Sequence, residues 1–169
     1  FNNTGGDNNA FGHKGLFNNT TGEANCSFGS YGLFTNTTGS RNCAFGTYSL
    51  DNNTTASGNC GFGFNTLTSN TTGNANVAMG DFTLDHNDIG FFNTAIGATA
   101  LQLNVSGSNN TAVGTSAGQT KVLYNKCSFF GVQADATTSG RTNAMALGYG
   151  ALVNGSNKVR VGNTAVTSI

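Results

Sequence analysis

The stretch Asn25-Cys-Ser-Phe-Gly29 returns as Asn42-Cys-Ala-Phe-Gly46, then as Asn59-Cys-Gly-Phe-Gly63. Further on it becomes Asn76-Val-Ala-Met-Gly80, Asn93-Thr-Ala-Ile-Gly97 and Asn110-Thr-Ala-Val-Gly114. Its glycine belongs to a series at Gly12, Gly29, Gly46, Gly63, Gly80, Gly97, Gly114, Gly131 and Gly148, always 17 residues apart, with Gly162 following after 14. A fixed spacing held over so many units is the mark of a repeat architecture, not of composition bias.

We number positions from that glycine as zero. Position −1 is Phe11, Phe28, Phe45, Phe62, Met79, Ile96 and Val113, and position +4 is Leu16, Leu33, Leu50, Leu67, Leu84 and Leu101. Cys26, Cys43 and Cys60 share position −3, while Asn8, Asn25, Asn42, Asn59, Asn76, Asn93 and Asn110 share position −4. Large apolar residues at −3 and −1 flank a small one at −2, a period of two that predicts a half-buried strand. By that reading the residues at −1 and +4 form the core and the three cysteines form a buried thiol ladder. A second strand is expected over +1 to +5, with Tyr31, Tyr48, Phe82 and the leucines facing inward. Positions +6 to +12, where Asn-Thr-Thr-Gly stands at 36–39 and 70–73, read as a polar turn. Asn and Gly tolerate the left-handed backbone that tight turns need.

Seventeen residues are too few for the helix pairs of α-solenoids, and no stretch carries a helical period. The expected fold is therefore all-β: a parallel β-solenoid with one coil per repeat, over residues 1–156, closed by a terminal rung and junction at 157–169. Each residue then lies about 4.8 Å from its counterpart in the next coil, and stacked asparagines can hydrogen-bond along the column.

Asn (26), Gly (25) and Thr (24) dominate the 169 residues, with no Pro or Trp. Charged residues make up 8% and cancel to zero, which argues against electrostatic binding of nucleic acid or anionic membrane. No apolar run approaches the roughly 20 residues of a membrane-spanning helix, so no membrane insertion is expected. The chain starts with Phe1 at position +6, inside a turn, which reads as a piece of something longer.

Position −2 holds Ala10, Ser27, Ala44, Gly61, Ala78, Ala95 and Ala112, and position +3 is similarly small. Read as outward-facing, these rows make a flat strip along which another chain could approach. The alternative is that small residues relieve crowding in a tight coil.

The units at 76–80, 93–97 and 110–114 resemble the head repeats of trimeric autotransporter adhesins, which follow Asn-Ser-Val-Ala-Ile-Gly. This chain departs from them in its longer repeat and in the Phe and Cys of its first rungs. Residues 157–169, Asn-Lys-Val-Arg-Val-Gly-Asn-Thr-Ala-Val-Thr-Ser-Ile, resemble the segment that ends the shaft of phage tail fibres and related surface proteins. There it precedes a self-cleaving intramolecular chaperone, so the resemblance sets Ile169 near that junction. These resemblances imply a left-handed coil, a homotrimer, an extracellular or virion-surface location and a role in attachment to a receptor or glycan. A self-assembling extracellular filament is the alternative, and a glycan-degrading tailspike enzyme is a weaker third.

Little in the sequence points to catalysis, a metal or a cofactor. No His accompanies the cysteines, and stacked thiols suit disulfide geometry poorly. Asp51 and Asp85 share position +5 two rungs apart, a spacing compatible with inverting glycoside hydrolysis that nothing else supports. Asn-x-Ser/Thr sequons are frequent. Asn18, Asn19, Asn36, Asn52, Asn53, Asn70 and Asn104 fall at or near the turn and are candidates for glycosylation in a host that has the machinery.

Overall fold

The computed structural model describes residues 4–166. Phe1, placed in a turn by the repeat, and Ile169, placed near a junction by resemblance, lie outside the described residues. Every regular element among the described residues is a strand. The strands are β1 (Asn9–Phe11), β2 (Cys26–Phe28), β3 (Cys43–Phe45), β4 (Cys60–Phe62), β5 (Val77–Met79), β6 (Thr94–Ile96), β7 (Thr111–Val113), β8 (Tyr124–Asn125), β9 (Ser128–Phe130), β10 (Asp135–Ala136), β11 (Arg141–Thr142), β12 (Met145–Leu147), β13 (Leu152–Val153) and β14 (Val159–Val161).

Ten of them form one parallel sheet in the order β1-β2-β3-β4-β5-β6-β7-β9-β12-β14. The register is the repeat itself: Cys26 pairs with Cys43, Ser27 with Ala44 and Phe28 with Phe45. The short last spacing is kept too, since Leu147 pairs with Val161. The protein is thus a β-solenoid whose coils stack about 17 residues apart. Toward the C-terminus β8 pairs with β11 and β10 with β13, adding two short parallel ladders.

The region expected to form a second strand, +1 to +5, is a turn in the first seven coils. Its backbone enters the left-handed region at alternate residues: Tyr31 (φ 59°) and Leu33 (φ 51°), Tyr48 (58°) and Leu50 (55°), Phe82 (56°) and Leu84 (50°). Left-handed backbone costs a non-glycine residue about 1 kcal/mol. The coils offset it because their hydrogen bonds continue through the corner. The Tyr31 amide donates to the His13 carbonyl of the preceding coil (2.8 Å), and the Leu33 amide donates to the Ser49 carbonyl of the following one (3.1 Å). The ladder is a property of the whole coil, not of its three-residue strands.

The interior reverses the expected phase of the strand. Ser27, Ala44, Ala78, Ala95, Ala112 and Ala146 at −2 are fully buried, as are Ser49, Thr66, Thr83, Ala100 and Ala117 at +3. These rows face each other across the coil. A Cβ on Gly32 would stand 2.4 Å from Ser27 Oγ, and one on Gly61 would stand 2.5 Å from Ser49 Oγ. The two walls are so close that only small side chains fit between them. Phe28, Phe62, Met79, Ile96 and Val113 therefore point out of the coil and are exposed, Phe11 at the first rung most of all, and Phe45 is half-buried. The −1 residues are not core residues, and the small rows are not a free strip. Leu16, Leu33, Leu50, Leu67, Leu84 and Leu101 fill the wider end of the coil.

Two columns of buried asparagine complete the interior. At position +7, Asn36 Nδ2 donates to Asn19 Oδ1 (2.7 Å), Asn53 to Asn36 (2.8 Å), Asn70 to Asn53 (3.1 Å) and Asn87 to Asn70 (2.8 Å). Each amide also closes its own turn, as Asn36 Nδ2 does on the Gly39 carbonyl (2.9 Å). The neighbouring threonine joins coils from outside, Thr37 Oγ1 donating to the Thr54 carbonyl (3.0 Å). At position −4 the Asn25 Oδ1 accepts the Asn42 amide N–H, and Asn42 Oδ1 accepts that of Asn59, both at 2.9 Å. The recurring Asn-Thr-Thr-Gly phrase therefore closes a turn with an inward amide and laces coils together with an outward hydroxyl.

Position zero admits only glycine for two reasons. Gly46 has φ 137°, and a Cβ there would lie 2.2 Å from the Gly63 carbonyl oxygen. Gly46→Ala is expected to destabilise by about 2 kcal/mol or more. Gly6→Ala, where nothing lies within 4 Å, should change stability by less than about 1 kcal/mol. Reversible urea unfolding distinguishes the two. Asn53→Asp keeps the shape but removes the donors to Asn36 Oδ1 and the Ala56 carbonyl. It should cost about 3 kcal/mol at neutral pH, against near zero for exposed Asn52→Asp, in the same assay.

Candidate functional site

The outward phase of β1–β7, β9, β12 and β14 puts a band of side chains on the surface from end to end. Its −1 column stacks ring on ring. Phe28 and Phe45 lie 4.7 Å apart at 7° between planes, and Phe45 and Phe62 lie 4.8 Å apart at 5°. Beyond them the column continues as Met79, Ile96, Val113, Phe130, Leu147 and Val161. The −3 column beside it runs Cys26, Cys43, Cys60, Val77, Thr94, Thr111, Ser128, Met145 and Val159. Neither column contains a charged residue.

The cysteines belong to this band rather than to the interior. Cys26, Cys43 and Cys60 are free and half-buried, so the expected buried thiol ladder lies on the outer face. Burial first, and the neighbouring Cys60 and Cys26 thiols next, push the Cys43 thiol up to about 11. Burial also raises Cys60. Cys43 and Cys60 are accordingly held as protonated, weakly nucleophilic thiols at neutral pH.

A second aromatic surface covers the +1, +2 and +5 corner of the first five coils. Tyr31 stacks on Tyr48 (5.3 Å), Phe17 on Phe34 (5.7 Å), and Tyr48, Phe64 and Phe82 meet edge to face. The Lys14 ammonium sits 5.2 Å from the Tyr31 ring centre. Tyr31, Tyr48 and Phe82, expected to face inward, stand on the outside, while the leucines two residues on fill the interior.

The sequons divide by position. Asn19, Asn36, Asn53, Asn70 and Asn104 at +7 are buried, with their amides hydrogen-bonded inside the turn. In the folded coil they are not open to a glycosylating enzyme. Asn18 and Asn52 at +6 are exposed.

Asp85 is 3.5 Å from His86 Nδ1, and among the described residues Asp51 has no ionic partner. Burial raises both above the usual carboxylate range, and Asp51 Oδ1 is enclosed without a hydrogen-bond partner. No group of three or more His, Cys, Asp or Glu converges on a metal position among the described residues, and no helix there is long and apolar enough to cross a membrane.

One coil departs from the repeat at many positions together. Between Gly114 and Gly131 the +4 leucine becomes Gly118, the +7 asparagine Lys121, the +10 glycine Tyr124, the −4 asparagine Cys127 and the −2 alanine Phe129; the next +4 residue is Asp135. The replacements fit one another. A Cβ on Gly118 would sit 2.7 Å from the Phe129 ring, which occupies the space of the missing leucine. Phe129 packs on Tyr124 (4.7 Å, 60°), and the Tyr124 hydroxyl donates to Asp135, which is 4% exposed. Asp135 also accepts from the Thr120 hydroxyl (2.6 Å) and amide (3.2 Å) and from the Ala136 amide (2.7 Å). Burial and the Asp135 charge push the Tyr124 phenol far up. Above this set opens a cleft of about 590 Å³. The glycine period runs through this coil unbroken, and no spacing rule announces that a glycine and a phenylalanine in neighbouring columns exchange volume.

Comparison with protein-family models, curated proteins and solved structures finds no match to this chain.

Asp51 gives a pH prediction. Its folded pKa lies above the unfolded value near 3.9, so the folded state gains stability as pH falls through the folded pKa and loses it on return to neutral pH. Asp51→Asn should raise the melting temperature at pH 7. The gain should vanish near pH 3, where the carboxyl is protonated in both states. A gain that persists at pH 3 would show that the effect is not ionic.

Proposed function

We propose that this chain is a structural and attachment module: the stiff shaft or head of a homotrimeric fibre on a cell or virion surface. The observation that carries the reading is the uncharged apolar band. Ten strands, nine steps of about 4.8 Å, give it a length on the order of 43 Å. The −1 column is apolar along this whole length, and contiguous exposed apolar surface marks an interaction site. Its periodicity suits a second copy of the same chain best, because residues at one spacing can interdigitate along the whole length. With no charge in either column, like copies meet without repulsion. The sequence resemblance supplies three as the number of copies and the surface as the location.

The module's contribution is mechanical. A solenoid whose coils are joined by backbone, asparagine and threonine bonds is stiff along its axis and holds a binding element away from its base. No step of this reading requires catalysis.

Sedimentation equilibrium at micromolar concentration tests it. Three chains per particle are expected. Phe45→Glu combined with Phe62→Glu should give single chains with unchanged far-UV circular dichroism. A single-chain wild type, an endless polymer, or a trimer indifferent to both substitutions would overturn the reading.

A further inference from the structure

The irregular coil and its cleft are left unexplained by a shaft. A ladder residue is stabilised by like neighbours above and below, so each departure in one coil gives up contacts made everywhere else. The asparagine ladder shows the loss directly. Asn104 does not continue it: Asn87 Oδ1 is buried without a partner, and Asn104 Oδ1 instead accepts the Tyr124 amide (3.1 Å). Breaks of local rules concentrate at functional sites, even where neighbouring replacements compensate one another in packing.

The cleft lies where two ways of building the corner meet. Ser116, Gln119 and Thr120 come from a turn-built coil, whereas Asp135 and Leu152 come from β10 and β13, the first strands to form at that corner. The mismatch leaves the space open, and the Phe129–Tyr124–Asp135 stack braces its floor from inside.

From this geometry we propose that the cleft binds a neutral oligosaccharide. The walls offer side-chain amides at Gln119 and Gln133, hydroxyls at Ser116 and Thr137, and an apolar platform at Leu152. Hydroxyl-rich rings with one apolar face match such a mixture of amide and hydroxyl partners beside an apolar patch. The charges cancel: Lys121 Nζ donates to Thr120 Oγ1 (2.7 Å), and the same hydroxyl donates to Asp135. The one lysine and the one aspartate of the lining leave it without net charge. Gln119 is held in place, its Nε2 donating to Gln102 Oε1 of the coil below (2.9 Å). The proposal rests on the attachment reading and names its ligand class and its place.

The test is an array of neutral and acidic oligosaccharides probed with the wild-type chain, followed by calorimetric titration of the strongest neutral binder. Neutral glycans should be retained. Gln133→Ala, at an exposed position that does not threaten folding, should weaken the titrated affinity roughly tenfold, as should Gln119→Ala. Thr55→Ala, on a distant turn, should leave it unchanged. Retention of acidic glycans only, retention of none, or equal binding by Gln133→Ala would overturn the proposal. Particle mass measured on the same samples separates the outcomes: a trimer that binds no glycan sinks the cleft and leaves the fibre, whereas a single chain that binds glycan sinks the fibre and leaves the cleft.

Discussion

The narrowness of the coil governs everything else in this molecule. Seventeen residues close a loop whose opposite walls nearly touch, and a Cβ on Gly32 would stand 2.4 Å from the hydroxyl across from it. From that follow the alanine, serine and threonine interior, the expulsion of phenylalanine to the surface, and the need for another source of cohesion. Little apolar volume can be buried between such walls. Backbone bonds from coil to coil and two lines of asparagine carry much of the stability that leucines alone would supply in a thicker fold. Inside a dry interior such polar chains reinforce the fold where their members are matched, because an unmatched buried amide costs more than its bond contributes.

This explains why composition and architecture agree. Asn and Gly are poor formers of extended strands, yet here they occupy corners where the chain is left-handed and amides are enclosed, while Thr hydroxyls reach the next coil. The same logic makes the chain intolerant in one direction. A column accepts change only if its neighbours change with it, as Gly118 and Phe129 do, or Tyr124 and Asp135.

Fold class, period and register could be read from the sequence, because a glycine every 17 residues is a one-dimensional signal that needs no knowledge of cross-section. The inside could not. Alternation of Cys-Ala-Phe says that residues 43 and 45 share one face and residue 44 the other, but not which face is dry. The usual assumption sends the phenylalanine inward and fails here on volume. The corner at Tyr31–Leu33 reads as a strand for a related reason: large apolar residues two apart suggest a period of two, whereas in the turn the +3 and +4 side chains both face inward and the +2 ring faces out. The Asn36 sequon looked exposed because turns usually are, whereas its amide faces in and holds the Gly39 carbonyl. The cleft could not be read from the period, which passes through its coil unbroken at Gly114 and Gly131. Its chemistry depends on which columns meet across the coil, and that is a fact of three dimensions.

The inverted interior is tested most directly by two substitutions in adjacent residues of one strand, compared by reversible unfolding over a range of protein concentrations that separates folding from assembly. Phe45→Ser should leave the unfolding free energy of the dilute chain within about 1 kcal/mol of wild type. Ala44→Leu should abolish cooperative unfolding, since the coil has no room for three more carbons. The opposite outcome, a tolerated Ala44→Leu and a dilute chain unfolded by Phe45→Ser, would contradict the account.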